Sequence, residues 1–420
     1  MALRLIAVPT PAAGTTDLGD GLRYVARQPI LDLRGRVHGY ELLFRNGPEA
    51  AFRGDGNLAT RTMLDNTVIF GLERLTGGLP AFVNCTREAL IDNLVQVLPS
   101  GMTVLEILED IDPTPDLLDA CRKLKAAGYR LALDDFTWRE GIEPLVQIAD
   151  YIKVDFSLTN ATQRQALIKR LNGTTVAFVA ERIETQEQYD QACAEGFTLI
   201  QGYYFCRPIL IENRKVPVNR ISHIEILRAL QGDSIDLRKL SQLVKRDASL
   251  TYRLLRLINS PVCAMRQEVH SVKEALIVLG EEAFRRIATL AITSELNANR
   301  PAEILRMAFV RARFCELASG LCTLDSTEQY LLGLLSLLPA MLRLPMEELA
   351  PALPLRDEIR MALLGAPVVE CCLLDWLVCH EHGDWAACDA IAGAQNLDQR
   401  DLLREYSEAV LWAESALRYA

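Results

Sequence analysis

The 420-residue sequence has no long uncharged apolar run and no recognisable signal for secretion. Its longest uncharged apolar stretch, Gln329–Leu342, is too short to span a bilayer and contains Pro339. We therefore predict that this stretch is a buried helix. The N-terminal sequence MALRLIAVPTPAAG has only a short apolar run before Pro9, which is too little for a secretory signal. These absences predict a protein that does not enter a membrane.

The sequence also lacks an excess of basic residues. It contains 45 Lys and Arg against 55 Asp and Glu, which gives a formal net charge of -10. Such a balance argues against nucleic-acid binding that depends on neutralising phosphates. It does not exclude small anionic ligands, because an Arg, a metal ion or a helix N-terminus can hold these locally.

The eleven cysteines form no metal or redox motif. Their number is odd, no CxxC pair occurs, and no Cys/His group has the spacing of a zinc site. Cys371 and Cys372 are adjacent, which favours core packing over chemistry. This usage indicates a reducing compartment, so we predict a cytoplasmic protein.

Hydrophobic patterning divides the chain into three parts. Residues 1–22 are rich in Pro, Gly, Thr and Ala and predict a flexible leader. Residues 23–211 alternate short β-prone runs with helical segments, which predicts a (β/α) barrel, with an open doubly wound sheet as the alternative. Residues 212–420 predict an all-α domain. The strand candidates are YVARQPIL, VHGYELLF, AFVNCT, TVLEILE, RLALDDF, YIKVDF, VAFVAERI and LIQGYYF.

Apolar stripes at helical spacing mark the second half. Ser271 followed by Glu274 predicts a capped helix start, and Gly280 stands where a helix-ending glycine belongs. The predicted helices are Asp236–Val244, Ser249–Asn259, Ser271–Leu279 and Glu282–Leu296.

Polar side chains recur at the ends of the predicted strands, where a barrel assembles its active site. Any one of them could simply cap the next helix or contact water. Together, they would converge on one mouth, and the carboxylates would repel one another unless cations neutralised them. The residues are Glu41, Asn84, Glu106, Asp134, Asp135, Lys153, Glu181 and Gln201.

Carboxylates with one amide oxygen are hard ligands that suit Mg²⁺ or Mn²⁺ rather than Zn²⁺. The adjacent pair Asp134 and Asp135 is the candidate bridge between two ions, which together would stabilise charge on a phosphoryl group. Lys153 would hold the nucleophilic water or phosphate oxygens. The alternative for Lys153 is a solvated side chain paired with Asp155. Strand alternation opposes this, because Lys153 and Asp155 are two residues apart and therefore lie on the same face of the strand, opposite to Ile152 and Val154.

These motifs resemble the EAL domain of cyclic-di-GMP phosphodiesterases. The matching segments are GYELLFR, FVNCT, LEILE, LALDDF, YIKVDF, VAERIET and QGYYFCRP, between Tyr24 and Pro208. The resemblance implies a barrel that hydrolyses one phosphodiester bond of cyclic di-GMP to give linear pGpG with two Mg²⁺ or Mn²⁺ ions. By position, it implies metal ligands at Glu41, Asn84, Glu106, Asp134 and Asp135. It implies roles around the activated water and second metal for Lys153, Glu181 and Gln201, base and phosphate contacts for Gln28 and Arg45, and loop support for Glu109.

The sequence departs from this family after the Asp-Asp-Phe motif. Family members usually have a glycine-rich turn there, whereas this chain reads Thr137-Trp138-Arg139-Glu140. A bulky Trp where glycine's backbone freedom is usual predicts an altered loop, and restoring glycine would raise activity if the loop were defective. Leu42 stands where the family has Ala, on the strand face opposite Glu41.

The second half resembles the HDOD domain, a relative of metal-dependent HD phosphohydrolases that usually lacks their metal site. The resemblance rests on DLRKLSQLVKRDASLTYRLLRLINSP and HSVKEALIVLGEEAFRRI. The His-Asp pair of HD enzymes is replaced by Ser336-Leu337-Leu338. His380 and His382 form the only close His pair. We predict that they lie in a surface loop and bind no metal.

Two hypotheses follow for the whole chain. The first is a cytoplasmic cyclic-di-GMP phosphodiesterase joined to a non-catalytic HDOD signalling module. The alternative is a catalytically impaired EAL domain that serves as a cyclic-di-GMP receptor or as an interaction scaffold. Both predict an unidentified signalling protein as partner of the HDOD domain and a possible homodimer, without direct nucleic-acid or membrane binding.

Overall fold

The computed structural model describes residues 23–46, 72–206, 226, 248–260, 263, 269–297, 301–353 and 355–418. The chain divides into two compact units. The barrel unit contains residues 21–207 together with 379–386, and the helical unit contains residues 208–378 and 387–420. The predicted leader and the predicted boundary between residues 211 and 212 lie outside the described residues and stay predictions.

Eight strands close into a barrel in sequence order. This confirms the predicted barrel and excludes the doubly wound sheet. Its closure leaves no unpaired sheet edge. The strands are β1 (Arg23–Asp32), β2 (Val37–Asn46), β3 (Ala81–Cys85), β4 (Thr103–Ile107), β5 (Arg130–Leu133), β6 (Tyr151–Asp155), β7 (Ala177–Glu181) and β8 (Leu199–Gln201).

The first strand runs against the other seven. β1 pairs antiparallel with β2 and with β8, whereas every neighbouring pair from β2 to β8 is parallel. The turn between Asp32 and Val37 is too short for the crossover that parallel strands need. Asp32 closes this turn by accepting hydrogen bonds from the backbone N–H groups of Arg34 and Arg36, each at 2.9 Å.

The barrel interior is built in layers, because inward-facing side chains recur every second residue along each strand. The lower layer is a buried apolar cluster of Ile30, Phe82, Val104, Ala132, Tyr151, Val179 and Leu199. On β2 this position is Gly39, where a Cβ would lie 2.6 Å from the Pro80 carbonyl oxygen. Two residues further toward the mouth, every strand carries a polar side chain.

Short helices follow the strands of the barrel unit. Two of them begin with reciprocal capping boxes, Asn160 with Gln163 and Thr185 with Gln188, and the second of these ends at the left-handed Gly196. These caps satisfy N–H groups that the first helical turn leaves unpaired. The helices are α1 (Leu72–Thr76), α2 (Arg87–Ile91), α3 (Pro115–Ala126), α4 (Glu143–Val146), α5 (Ala161–Arg170) and α6 (Gln186–Glu195).

Helices account for the regular structure described after residue 207, which confirms the predicted change of fold class. The predicted start at Ser271 and end at Gly280 are also observed, since Ser271 caps its helix by accepting from the Glu274 N–H. The helices are α7 (Ala248–Ile258), α8 (Val272–Leu279), α9 (Glu281–Leu296), α10 (Ala302–Ala318), α11 (Ser326–Leu335), α12 (Leu338–Leu342), α13 (Met346–Leu349), α14 (Asp357–Leu363), α15 (Cys372–His382), α16 (Trp385–Ala394) and α17 (Gln399–Leu417). The predicted helix Asp236–Val244 lies outside the described residues.

The apolar stretch Gln329–Leu342 is buried as predicted, but it forms parts of two helices rather than one. The first ends before Ser336, and Pro339 lies in the first turn of the second, where its missing N–H leaves no intrahelical hydrogen bond unmade. Across the described residues, no helix is long and apolar enough to cross a membrane.

Candidate active site

Four carboxylates surround the ammonium group of Lys153 inside the barrel mouth. The Lys153 Nζ lies 2.7 Å from Glu106 Oε1 and Asp134 Oδ1, and 2.9 Å from Glu41 Oε2 and Glu181 Oε1. The Lys153 side chain is 1% exposed. The structure therefore places Lys153 within the carboxylate cluster rather than in a solvated pair with Asp155.

One lysine cannot neutralise four ionised carboxylates, because it carries a single positive charge, and its three N–H donors cannot satisfy all four groups. Burial raises the pKa of Glu181 to about 8, despite the opposing effect of Lys153. Burial, followed by the charge of Glu41, raises the pKa of Glu106 well above its usual range. Burial would lower the pKa of Lys153, but Glu106 and the other carboxylates outweigh it and raise that pKa. Lys153 is therefore a fixed positive charge at neutral pH.

The chemistry of the donors fits an additional cation. Asn84 Oδ1, Glu106 Oε2 and Gln201 Oε1 are buried without a hydrogen-bond partner among the described residues. Unpaired oxygens beside excess negative charge are suited to a hard divalent cation. However, the carboxylates converge on an ammonium group, and the described part of the chain contains no group of three or more His, Cys, Asp or Glu arranged to hold a metal. The predicted metal roles therefore stay predictions.

Two glutamines extend the cluster toward β1. Gln201 Nε2 donates to Glu41 Oε2 at 2.7 Å and to Gln28 Oε1 at 3.2 Å. Asn84 Nδ2 donates to the second oxygen of Glu41 at 3.3 Å. The Lys153 charge and these hydrogen bonds lower the pKa of Glu41 despite its burial. Glu41 is thus the carboxylate most firmly held in its ionised form.

Asp135 lies beside the cluster but does not contact Lys153. Its backbone adopts a left-handed conformation with φ of 39°, and its pKa is raised by burial and then by Asp134. Asp155, which follows on β6, pairs with Arg182 at 3.0 Å and accepts from the Ser157 N–H and hydroxyl. The sequence analysis gave no role to Arg182, although it directly follows Glu181.

The remaining predicted residues have mixed outcomes. Leu42 is 1% exposed and lies on the strand face opposite Glu41, as predicted. Glu109 is exposed and lines a small cavity with Asp134 and Thr137, but it forms no hydrogen bond to the loop within the described residues. Arg45 belongs to β2, and its side chain lies outside what the structure describes.

The loop after Asp135 is anchored without the glycines that the family pattern suggests. Residues 137–140 all have negative φ, so their backbone does not require glycine. The guanidinium of Arg170 lies 3.6 Å from the ring centroid of Trp138, and Arg139 Nη2 donates to the Ile111 carbonyl at 2.6 Å. At residues 137–140 the chain therefore uses side-chain contacts, and the left-handed backbone comes one residue later, at Gly141 with φ of 81°.

Trp138→Gly is consequently expected to lower the free energy of unfolding of the barrel. The variant loses a cation–π contact of about 0.5–1 kcal/mol and gains about 1 kcal/mol of backbone entropy in the unfolded state. We expect a destabilisation of about 1–2 kcal/mol in urea unfolding monitored by circular dichroism. Glu140→Gly, in the same loop with an exposed side chain, is the matched control for the entropy alone. Unfolding midpoints shifted equally in both variants would contradict an anchoring role for Trp138.

Gly202 and Tyr203 are two residues of this site that the sequence analysis did not single out. Gly202 has φ of 142°, and a Cβ there would lie 2.2 Å from the Ile183 carbonyl oxygen. Only glycine fits this position, which directs the chain from Gln201 to Tyr203. The QGYY sequence at the end of β8 was the available signal.

Gly202→Ala is expected to destabilise the barrel by several kcal/mol, roughly 3 or more, because the methyl group overlaps backbone that cannot move aside. Thermal unfolding followed by circular dichroism measures this effect. Gly101→Ala is the control, since a Cβ at Gly101 meets no atom within 4 Å. A Gly202→Ala unfolding temperature equal to that of the control would refute this account of Gly202.

The prediction that His380 and His382 lie in a surface loop is wrong. Both belong to α15, and His380 is fully buried with its ring edge-on to Trp385 at 5.3 Å between centroids. Burial lowers the pKa of His380 to about 3. The i, i+2 spacing does place the two rings on different faces, because His382 stacks on Tyr203 at 3.9 Å.

Comparison with known proteins identifies two domains. An EAL domain family model matches residues 81–208, and an HDOD domain family model matches residues 218–348. The structure of the FimX EAL domain from Pseudomonas aeruginosa bound to c-di-GMP is 22% identical with a TM-score of 0.35. That match covers 44% of this chain and 89% of the FimX chain.

Two relatives span nearly the whole chain. The uncharacterized protein YuxH of Bacillus subtilis is 32% identical over 405 residues, covering 94% of this chain and 98% of its own. The cyclic di-GMP phosphodiesterase CdgJ of Vibrio cholerae is 32% identical over 402 residues, covering 94% of this chain and 93% of its own. With both domain models and both full-length matches in agreement, this chain belongs to the family of proteins that join an EAL domain to an HDOD domain.

Proposed function

We propose that this protein is a cyclic-di-GMP phosphodiesterase that opens one phosphodiester bond of the cyclic dinucleotide to give pGpG. The observation that carries the proposal is the convergence of Glu41, Glu106, Asp134 and Glu181 on buried Lys153 at the barrel mouth. The full-length similarity to a cyclic di-GMP phosphodiesterase supports the same substrate.

The protein groups have distinct roles in this proposal. Glu41, Asn84, Glu106, Asp134 and Asp135 would hold divalent cations, Mg²⁺ or Mn²⁺, which supply Lewis-acid stabilisation of phosphoryl charge and a water of lowered pKa. Lys153 provides a fixed positive charge for phosphate oxygens or the attacking water. Gln201 orients Glu41 by donating to it at 2.7 Å.

The peripheral roles follow from the same assignment. Gln28 would contact a base and Arg45 a phosphate, since a guanidinium forms two parallel hydrogen bonds with phosphate oxygens. Glu109 would support the loop after Asp135.

The HDOD domain would act as a non-catalytic module for an unidentified signalling protein, and the chain could pair as a homodimer. None of the eleven cysteines, all of which lie in the described residues, is in a disulfide, and this supports a reducing, cytoplasmic location.

The test is incubation of the purified full-length chain with cyclic di-GMP and Mg²⁺ or Mn²⁺, with products separated by chromatography. We expect pGpG, and none in the presence of excess EDTA. If no product forms, calorimetry with cyclic di-GMP separates the two remaining functions. Binding without hydrolysis would indicate a receptor, and no binding would indicate a scaffold.

A further inference from the structure

The end of α15 contacts the rim of the barrel mouth. Residues 379–386 belong to the barrel unit. Gln28 Nε2 donates to the main-chain carbonyls of Glu381 at 3.4 Å and His382 at 3.3 Å, and the Tyr203 hydroxyl donates to the Glu381 carbonyl. The His382 ring stacks on the Tyr203 ring with 3.9 Å between centroids.

The geometry of the helix end explains why the barrel contacts these two carbonyls. The last four carbonyls of a helix have no partner within it. In α15, Gly383 N–H donates to the His380 carbonyl at 3.0 Å and Asp384 N–H to the Cys379 carbonyl at 2.9 Å. With Gly383 left-handed at φ of 73°, this is a Schellman cap. The carbonyls of Glu381 and His382 take no part in this cap, and they accept hydrogen bonds from Gln28 and, in the case of Glu381, from Tyr203 as well.

These contacts lie next to the catalytic cluster. Gln28 also accepts a hydrogen bond from Gln201, which donates to Glu41. The segment at the end of α15, Glu381–Gly383, is thus connected to Glu41 through two glutamines. The amide nitrogen of Gln28 has only two N–H donors, and the main chain of the segment takes both. One face of the Tyr203 ring is covered by His382. While the segment stays in place, neither group can bind another molecule in the same way.

We propose that Glu381–Gly383 form a built-in cap that competes with the nucleotide for Gln28 and Tyr203. This inference rests on the proposed function of the barrel. The segment presents a flat ring and carbonyl acceptors, which are also features of a purine base. Nucleotide binding would therefore require the cap to leave, and the fraction of molecules without the cap would set the apparent affinity.

His382→Ala in the full-length chain tests the cap. Loss of the stacking contact is expected to lower the apparent Kd for cyclic di-GMP by roughly 3- to 10-fold, with KM lowered and kcat unchanged. Calorimetry with Ca²⁺ present measures Kd, and steady-state kinetics separates KM from kcat. His270→Ala is the matched control, because His270 is exposed and lies in the helical unit. A Kd equal to that of the control, or a higher one, would overturn the cap.

Amide hydrogen exchange gives a second readout that does not depend on activity. The N–H groups of Gly383 and Asp384 are hydrogen-bonded in the capped state, so nucleotide binding is expected to raise their exchange rates. Slower exchange on binding would mean that the segment stays under the ligand, which also overturns the cap. Binding with the expected exchange but no pGpG would overturn the phosphodiesterase assignment alone. No binding by wild type or by His382→Ala would overturn both.

Discussion

Glu41→Gln is expected to lower kcat for cyclic-di-GMP hydrolysis by more than about 100-fold while leaving the barrel folded. Glu41 accepts from Lys153, Gln201 and Asn84, so both of its oxygens are fixed at the mouth. Losing a residue that only supports a metal ligand typically costs 10- to 100-fold in activity, and losing a ligand should exceed that range. Chromatographic measurement of pGpG over time determines kcat.

The fold should survive this substitution because Lys153 keeps three of its four carboxyl partners, Glu106, Asp134 and Glu181. Replacing one carboxylate also removes its own repulsion with the other three, which offsets part of the lost attraction to Lys153. Glutamine also keeps the shape and one acceptor oxygen. The lowered pKa of Glu41 means that its ionised form stabilises the fold at neutral pH, so we expect Glu41→Gln to stay folded with an unfolding temperature modestly below that of the wild type.

Glu195→Gln is the matched control for Glu41→Gln. Glu195 is also a buried carboxylate, 4% exposed, paired with Arg164 at 2.7 Å away from the barrel mouth. Neutralising it should reduce stability and leave the kcat of the folded protein unchanged. If Glu41→Gln retained wild-type kcat, or if Glu195→Gln lost as much, the assignment of the mouth as the active site would be wrong.

The polar layer of the barrel could be predicted because strand periodicity is local. Each polar residue stands two positions from an apolar one that fills the layer below, as Glu106 follows Val104 and Lys153 follows Tyr151. The two-residue alternation of side chains along a strand is therefore enough to place these polar residues inside the barrel. The parallel direction of β2 to β8 then brings them to one end.

Other features depend on contacts that carry no sequence signal. The antiparallel β1 is the exception, because it follows from the short turn between Asp32 and Val37, which is local in the sequence. The carbonyls of Glu381 and His382 lie 353 and 354 residues from Gln28, and any residue type presents a carbonyl. The missing glycines predicted an altered loop after Asp135. The contacts that hold this loop, made by Trp138 with Arg170 and by Arg139 with Ile111, join residues that are distant in the sequence.

Lys153→Met is the second substitution with a large expected effect, and it acts on stability. Removing one partner of a buried ion pair typically costs 3–5 kcal/mol, because it leaves buried charge without compensation. Here four carboxylates lose their shared cation. We expect a loss of about 3–5 kcal/mol, which lowers the unfolding temperature of the barrel unit by roughly 6–20 °C. Differential scanning calorimetry measures this shift.

Lys125→Met is the matched control for the loss of a lysine. Lys125 pairs with Asp150 at 2.9 Å, but both side chains are about one-third exposed. An exposed pair contributes about 0–1 kcal/mol, so this variant should unfold close to the wild-type temperature. The double variant Lys153→Met with Glu106→Gln should recover part of the loss, since it removes one unpaired charge.

Divalent cations should restore stability to Lys153→Met if the four carboxylates can bind them. A ligand that binds only the folded state stabilises it by RT ln(1 + [L]/Kd), so the unfolding temperature should rise with Mn²⁺ concentration. The rise should exceed that of the wild type, in which Lys153 competes for the same oxygens. It should also shrink in the double variant, which has one carboxylate fewer. Equal Mn²⁺ responses in all three proteins would show that the cluster around Lys153 does not bind the metal.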